Sequence, residues 1–148
     1  MTDLSPLAGT WRGEGEGSYP TIDGFRYTEE LVVEPVPGRS VAHWRSRTRD
    51  AASGEPRHAE SGFLRTVGDG VEFVVAHGFG VVETATGSFD GRVLDLTSHS
   101  VAGTPTAKRI DRIDRLVVLE GDGLTYTVAM SAVGVPLTHH LSAALRRE

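Results

Sequence analysis

Cysteine is absent from the 148 residues of this chain. Without a thiol it cannot form disulfides, thiolate nucleophiles, iron–sulfur clusters or covalently attached haem. Basic residues are also scarce, because 15 Lys and Arg stand against 20 Asp and Glu and give a net charge of −5. Nucleic acids and anionic membrane surfaces are bound through clustered cations, so this balance disfavours both as partners. A small molecule is the favoured partner.

The chain also lacks long apolar runs and targeting signals. The segment from Met1 to Leu4 has neither the basic start nor the apolar core of a signal peptide. No stretch reaches the roughly 20 apolar residues that span a bilayer as a helix. We therefore expect a cytoplasmic protein, and the length predicts a single domain over residues 1–148.

Sustained helical periodicity is missing as well, whereas glycine-containing turns recur at short intervals among the 18 glycines. The runs between these turns have the composition of strands. They predict an all-β fold, a single antiparallel barrel of about ten strands of the kind found in lipocalins and fatty-acid-binding proteins. The predicted strands are Gly9–Tyr19, Tyr27–Val36, Val41–Thr48, Gly62–Val67, Val71–His77, Gly80–Thr84, Val93–Ser98, Arg109–Leu119, Leu124–Ser131 and Leu137–Leu145.

The first predicted strand carries glycine at every second position. Alternate residues of a strand face opposite sides, so one face presents Trp11, Gly13, Gly15, Gly17 and Tyr19. Glycine in a strand marks either a tight bend or the close approach of a ligand or another backbone. The pattern therefore has two interpretations: a wall cleared for a broad flat ligand, or a sheet that curves sharply. A barrel of this size encloses one small ligand in an apolar interior.

Charged residues alternate in the segment from Arg109 to Arg115, and we interpret it as a solvated strand face stabilised by cross-strand pairs. No Gly-x-Ser-x-Gly or His-Glu-x-x-His motif is present, so a serine hydrolase or zinc hydrolase site is disfavoured. The adjacent His139 and His140 point to opposite faces of the last strand, so one of them faces the interior as a candidate metal or haem ligand. Plain alternation with Leu137 and Leu141 points His139 inward.

Three segments occur together in one order along the chain. They are Gly9-x-Trp11-x-Gly13-x-Gly15-x-Gly17 followed by Tyr19-Pro20-Thr21, then the segment from His58 to Phe63, and finally Met130 with His140-Leu141. In these segments the chain resembles the nitrobindin family of haem-binding β-barrels. The resemblance implies one b-type haem per chain, held in the ferric state, that binds nitric oxide and isomerises peroxynitrite to nitrate.

The resemblance also implies where the haem binds. His140 matches the axial ligand of the iron, and a bulge or bend near Pro136 would reconcile this with the alternation that favours His139. Thr21 matches a position against the haem, His58 a position on the distal side, and the remaining pocket residues are Met130, His77 and Lys108. Lys108 is expected to reach a haem propionate. No catalytic residue beyond the haem iron is implied.

Two alternative functions stay open. The first is a lipocalin-like carrier of a small apolar ligand without turnover, in which His140 has no special role. The second is a nitric oxide carrier or sensor that uses the same haem and the same residues. The oligomeric state and any redox partner cannot be predicted from the sequence.

Overall fold

Ten strands form the structure, a computed structural model that describes residues 2–148. Each strand pairs antiparallel with the next, and the first pairs with the last, so the sheet is a closed barrel. The predicted fold class is confirmed. The strands are β1 (Gly9–Tyr19), β2 (Ile22–Pro35), β3 (Val41–Asp50), β4 (Pro56–Val67), β5 (Gly70–His77), β6 (Val81–Phe89), β7 (Val93–Gly103), β8 (Ile110–Glu120), β9 (Gly123–Ala132) and β10 (Val135–Arg147).

Two strands, β2 and β4, begin five or more residues earlier than the sequence predicts. β2 starts at Ile22, because the chain turns at residues 20–21 and Tyr19 already pairs with Ile22. The dipeptide Asp23-Gly24, predicted as the turn, therefore lies inside the strand. β4 starts at Pro56, six residues before the predicted Gly62, because its first half alternates polar residues that carry no apolar signal. The early start places the segment after Pro56 on the barrel wall.

One end of the barrel is closed by the segment before β1. The 3₁₀ turn Ser5–Leu7 buries Leu7 completely, and its carbonyl accepts a hydrogen bond of 2.9 Å from the indole Nε1 of Trp11. The Arg147 guanidinium lies 4.4 Å from the centre of the Trp11 ring and donates to the carbonyl of Ala8. No helix within residues 2–148 is long and apolar enough to cross a membrane.

The glycines of β1 allow close packing within the barrel wall. A Cβ atom at Gly13 would lie 2.1 Å from the carbonyl oxygen of Ala144 on β10. At Gly15 and Gly17 it would meet the rings of Tyr27 and Phe25 at 2.4 and 2.3 Å. These rings come from β2 and lie over the glycines, so the space is filled by the protein itself. Of the two interpretations of this strand, the structure supports close packing in a curved sheet.

Candidate functional site

A cavity of about 640 Å³ lies inside the barrel, within the size range of about 300–1,000 Å³ that is usual for ligand sites. It reaches the surface at the end opposite the 3₁₀ turn, where the exposed Thr21 and Lys108 line its rim. The structure brings all six predicted site residues to this cavity: Thr21, His58, His77, Lys108, Met130 and His140. His139 is exposed and is not among the lining residues.

A bulge in β10 turns His140 towards the cavity. His139 pairs with Ala129 and Leu141 pairs with Val128, so His140 is one extra residue opposite two consecutive residues of β9. Such a bulge interrupts the alternation of faces, and both His140 and Leu141 line the cavity. Strict alternation therefore picks the wrong neighbour, His139. The bulge lies four residues after Pro136, in the region where a bulge or bend would reconcile the resemblance with the alternation.

His140 has one ring nitrogen engaged and one free. Its Nδ1 lies 3.0 Å from the carbonyl oxygen of Ser18, which can only accept, so Nδ1 carries the proton. Nε2 has no hydrogen-bond partner among the described residues. Burial lowers the pKa of His140, which keeps the ring neutral at pH 7. The edges of Tyr19 and Phe25 hold the ring, with centroids 5.4 and 6.4 Å away. A neutral imidazole fixed in this way presents Nε2 as a metal ligand.

The wall opposite β10 carries five ionisable side chains in mutual contact, which we call the charged cluster: His58, Glu60, His77, Glu83 and Arg115. They come from β4, β5, β6 and β8, and β5 is five strands away from β10 in the ring of ten. Arg115 is 10% exposed and donates to both Glu60 oxygens at 3.1 and 2.9 Å and to Glu83 Oε1 at 2.5 Å.

The position of Arg115 corrects two sequence predictions. The segment Arg109–Arg115 is solvated only in part. Its exposed Arg109 and Arg112 pair with Asp111 and Asp114 two residues further along the chain, and not across strands. Arg115 instead follows Ile113 in the inward register of β8 and stacks over Phe73 at 5.1 Å. The barrel interior is therefore not purely apolar. A charge is tolerated there because two carboxylates and a ring face its guanidinium.

The pKa values within the charged cluster follow from burial and from its charges. Burial by itself raises the pKa of Glu60, but the Arg115 guanidinium outweighs this and holds that pKa at about 2. The same guanidinium, together with His77, outweighs burial at Glu83 and keeps its pKa low. Burial lowers the pKa of His58 to about 4. At pH 7 the cluster therefore contains two carboxylates, one guanidinium and a neutral His58.

The two histidines of the cluster share a proton. His77 Nε2 lies 2.7 Å from Glu83 Oε1, and an ionised carboxylate can only accept, so this nitrogen carries hydrogen. His77 Nδ1 then lies 3.0 Å from His58 Nε2, with one proton between them. The two rings are tilted at 30° with centroids 5.1 Å apart, and Phe79 covers both. Only 5% of the His77 side chain is exposed.

A second buried carboxyl, Glu29 on β2, has no cation in contact with it among the described residues. Its oxygens accept hydrogen bonds of 2.5 Å from Ser46 and from Tyr126, and Tyr126 lies 2.6 Å from the Tyr27 hydroxyl. Burial raises the pKa of Glu29 to about 7, although the two hydroxyl donors oppose the rise. Glu29 is therefore partly protonated at neutral pH, in contrast to Glu60.

The fold and the cavity define a class of protein, the ligand-binding antiparallel β-barrel. A family model described as "THAP4-like, heme-binding beta-barrel domain" matches residues 1–147. The chain belongs to this haem-binding family, and the resemblance to nitrobindins is confirmed.

Curated relatives and a solved structure agree with this assignment. The chain is 47% identical to peroxynitrite isomerase 1 of Rhodococcus jostii (strain RHA1), over 98% of this chain and 82% of that protein. It is 43% identical to peroxynitrite isomerase 2 of Mycobacterium marinum, over 98% and 92%. The crystal structure of Rv2717c from M. tuberculosis superposes with a TM-score of 0.90 at 42% identity, covering 98% of this chain and 94% of that one.

Sequence reasoning missed most of the charged residues inside the barrel. Glu29, Glu83 and Arg115 each occupy the inward register of a strand, between apolar residues two positions away. A charged residue among alternating apolar ones is the signal that would have identified them. Arg57 was missed too; it lines the cavity, lies 4.3 Å over the Phe25 ring and pairs with Asp50.

Proposed function

We propose that this chain binds one b-type haem in its cavity and isomerises peroxynitrite to nitrate at the ferric iron. The observation that carries the proposal is the state of His140: a neutral ring in the cavity, with Nδ1 held by Ser18 and Nε2 free. Membership in a haem-binding family and relatives named peroxynitrite isomerase support it.

The residues present fit a haem. The cavity has the volume of a small-molecule site, and its walls combine apolar and aromatic side chains such as Phe25, Phe79 and Met130 with histidines and charged groups on the opposite wall. Lys108 at the rim suits a propionate of the group, and Arg57, which pairs with Asp50 at 3.1 Å, also lines the cavity. The chain has no cysteine, so the haem would be held without covalent attachment.

In this proposal the protein binds and orients, and the cofactor supplies the chemistry. When bound, ferric haem would supply the iron chemistry for the isomerisation of peroxynitrite to nitrate. His140 would hold the iron through Nε2, while the Ser18 carbonyl fixes the ring and raises its basicity. Phe25, Met130 and the opposite wall exclude water from the reacting molecule. His58 lies on that opposite wall, where it stays neutral and orients water or substrate.

The proposal is tested by hemin titration followed by stopped-flow kinetics. We expect a Soret band that saturates at one hemin per chain, and faster decay of peroxynitrite with haem-loaded protein than with haem-free protein. The nitrate yield should rise at the expense of nitrite. Free hemin at the same concentration is the control. Decay at the rate of buffer alone would overturn the catalytic part, and protein that takes up no hemin would favour the apolar-ligand carrier.

Nitric oxide binding at the same iron shares every residue with this site and stays a prediction. A carrier or sensor would bind nitric oxide at the loaded iron yet leave peroxynitrite decay unchanged, so the same kinetic experiment separates the two. The cytoplasmic location and the single-domain organisation over residues 1–148 also stay predictions from the sequence.

A further inference from the structure

We propose that His58, Glu60 and His77 form a second site in the cavity, for a divalent transition-metal ion such as Zn²⁺. Each residue offers one ligand atom, and the three atoms lie within 4.8 Å of one another. They belong to the wall opposite His140, so this site is separate from the haem ligand. The proposal does not depend on the proposed haem chemistry.

The spacing of the ligand atoms suits a small metal ion. With metal–ligand distances of about 2.0–2.2 Å, the ligand atoms of a tetrahedral site lie roughly 3.3–3.5 Å apart. His77 Nδ1 lies 3.0 Å from His58 Nε2 and 3.7 Å from Glu60 Oε2, on either side of this value. The third pair, between His58 and Glu60, lies within 4.8 Å, so side-chain shifts that bring the three atoms to a common spacing would complete the geometry. Two imidazoles and one carboxylate are a donor set that favours zinc and neighbouring first-row metals.

Glu83 orients His77 as metal ligands are usually oriented. Its carboxylate accepts the hydrogen of His77 Nε2 at 2.7 Å, which leaves Nδ1 to face His58 and Glu60. A histidine that binds a metal through one nitrogen typically donates the other N–H to a carboxylate in this way. A metal ion would replace the single proton that His77 and His58 share, so binding releases that proton.

The charge of the cluster also favours a cation. Two carboxylates, Glu60 and Glu83, share one permanent cation, the Arg115 guanidinium. Glu83 Oε2 is buried and has no hydrogen-bond partner among the described residues. Glu60 remains able to bind a metal while it pairs with Arg115, because each carboxylate oxygen has two lone pairs.

The proposed site keeps one position open towards the cavity. His58, Glu60 and His77 all line the cavity, whereas Glu83 lies behind His77 and is fully buried. Three protein ligands with an open fourth position are the arrangement of metal sites that bind water or substrate oxygen. A metal here would place positive charge opposite His140, where a small oxyanion can bind.

The test is a titration of the untagged, haem-free chain with Co²⁺, whose visible absorption reports coordination, and competition by Zn²⁺. We expect one Co²⁺ bound per chain, displaced by Zn²⁺, with release of one proton measured in weakly buffered solution. His58→Ala and His77→Ala should abolish the visible band. Glu83→Gln should weaken binding by about 10- to 100-fold, since it removes the partner that orients His77. Far-UV circular dichroism checks that each variant is folded.

Two control variants separate this site from other histidines. His99 is exposed outside the cavity, and His99→Ala should bind Co²⁺ as the unmodified chain does. His140→Ala should also keep the band while it loses haem, so failure of the metal site and failure of the haem site are distinguishable. Absence of Co²⁺ binding to the unmodified chain, or equal binding by folded His58→Ala, would overturn the proposal and leave a proton-sharing histidine pair only.

Discussion

Two walls of the cavity each bury a carboxyl group, and the two groups differ in charge. Glu60, on the wall of the charged cluster, has a pKa of about 2 because Arg115 outweighs the effect of burial. Glu29, on the wall formed by β10, β1 and β2, has a pKa of about 7 because burial acts there without a paired cation. Burial alone neutralises a carboxyl group, whereas a bidentate guanidinium keeps it ionised.

We infer from this comparison that the two walls of the cavity have different roles, one in stability and the other in ligand binding. The charged cluster is a set of partners that are stable only together, so its substitutions should change the stability of the protein. The His140 ring is neutral and packs against the edges of Tyr19 and Phe25, so its substitution should change ligand binding and leave stability nearly intact. The predictions below test this division.

The largest effect is expected at Arg115. Replacing it by Met leaves Glu60 and Glu83 buried without a cation, which should lower the free energy of unfolding at pH 7 by about 3–5 kcal/mol. Urea denaturation measures the loss. The triple variant Arg115→Met, Glu60→Gln, Glu83→Gln should recover most of it, because no uncompensated charge remains. A single variant as stable as the unmodified chain would contradict the assigned role of the ion pairs.

The ionisation of Glu29 should make the free energy of unfolding depend on pH between 4.5 and 7. Its pKa is about 7 in the folded protein and near the ordinary 4.5 in the unfolded chain, so between these pH values the unfolded state binds fewer protons. The free energy of unfolding should therefore fall as the pH rises from 4.5 to 7, by about 3 kcal/mol from this group, and level off above.

Comparison with Glu29→Gln isolates this contribution. The variant lacks the titrating group, so its stability relative to the unmodified chain should increase across that pH range. Glu34→Gln, at an exposed position of the same strand, is the matched control and should show no such difference. Parallel pH profiles for the unmodified chain and Glu29→Gln would show that Glu29 ionises normally in the folded state.

His140→Ala should lower haem affinity by at least about 100-fold, beyond what loss of an outer partner of a metal ligand costs. The Soret band during hemin titration measures it. His139→Ala is the control: this neighbour is exposed outside the cavity, and its variant should bind haem normally. Both variants should unfold at the urea concentration of the unmodified chain. A retained Soret band in His140→Ala would move the ligand assignment elsewhere.

The smallest effect is expected at the rim. Lys108→Ala removes an exposed cation, and exposed ion pairs contribute about 0–1 kcal/mol, so haem affinity should fall by about fivefold at most. The difference should shrink at high salt because exposed charges are screened. Arg92→Ala, at an exposed turn of the closed end, controls for net charge. An equal loss in both variants would show that Lys108 has no specific contact with the ligand.

The barrel was predictable because most of its strands have a recognisable sequence pattern. Glycine turns and alternating apolar residues locate strands such as β3 and β5 within two residues. The first half of β4 was not predictable in this way, since its inward residues are His58 and Glu60 and give no apolar alternation. The wall that carries the charged cluster was therefore the part of the fold that pattern reasoning described least well.

The candidate site was also predictable only in part. The cavity positions of Thr21, Met130 and His140 were anticipated through the family resemblance, although alternation alone selects His139. A bulge depends on the register in which two strands pair. The register of β9 and β10 cannot be predicted from the residues of either strand alone. Arg115 was predicted to be solvated because it ends an alternating run of charges. Such a run has the same sequence pattern whether its last side chain points into the barrel or into solvent.

The pairing of β1 with β10 has a consequence for the order of folding. It joins residues far apart in the chain: Ser18 and His140 are 122 positions apart, and Arg12 and Glu148 are 136. Contacts of this separation carry a high entropic cost and form late, after the local hairpins. The orientation of His140 depends on this seam, so its ligand can bind only the closed barrel. A bound ligand would therefore stabilise the closed barrel relative to states in which β1 and β10 are unpaired.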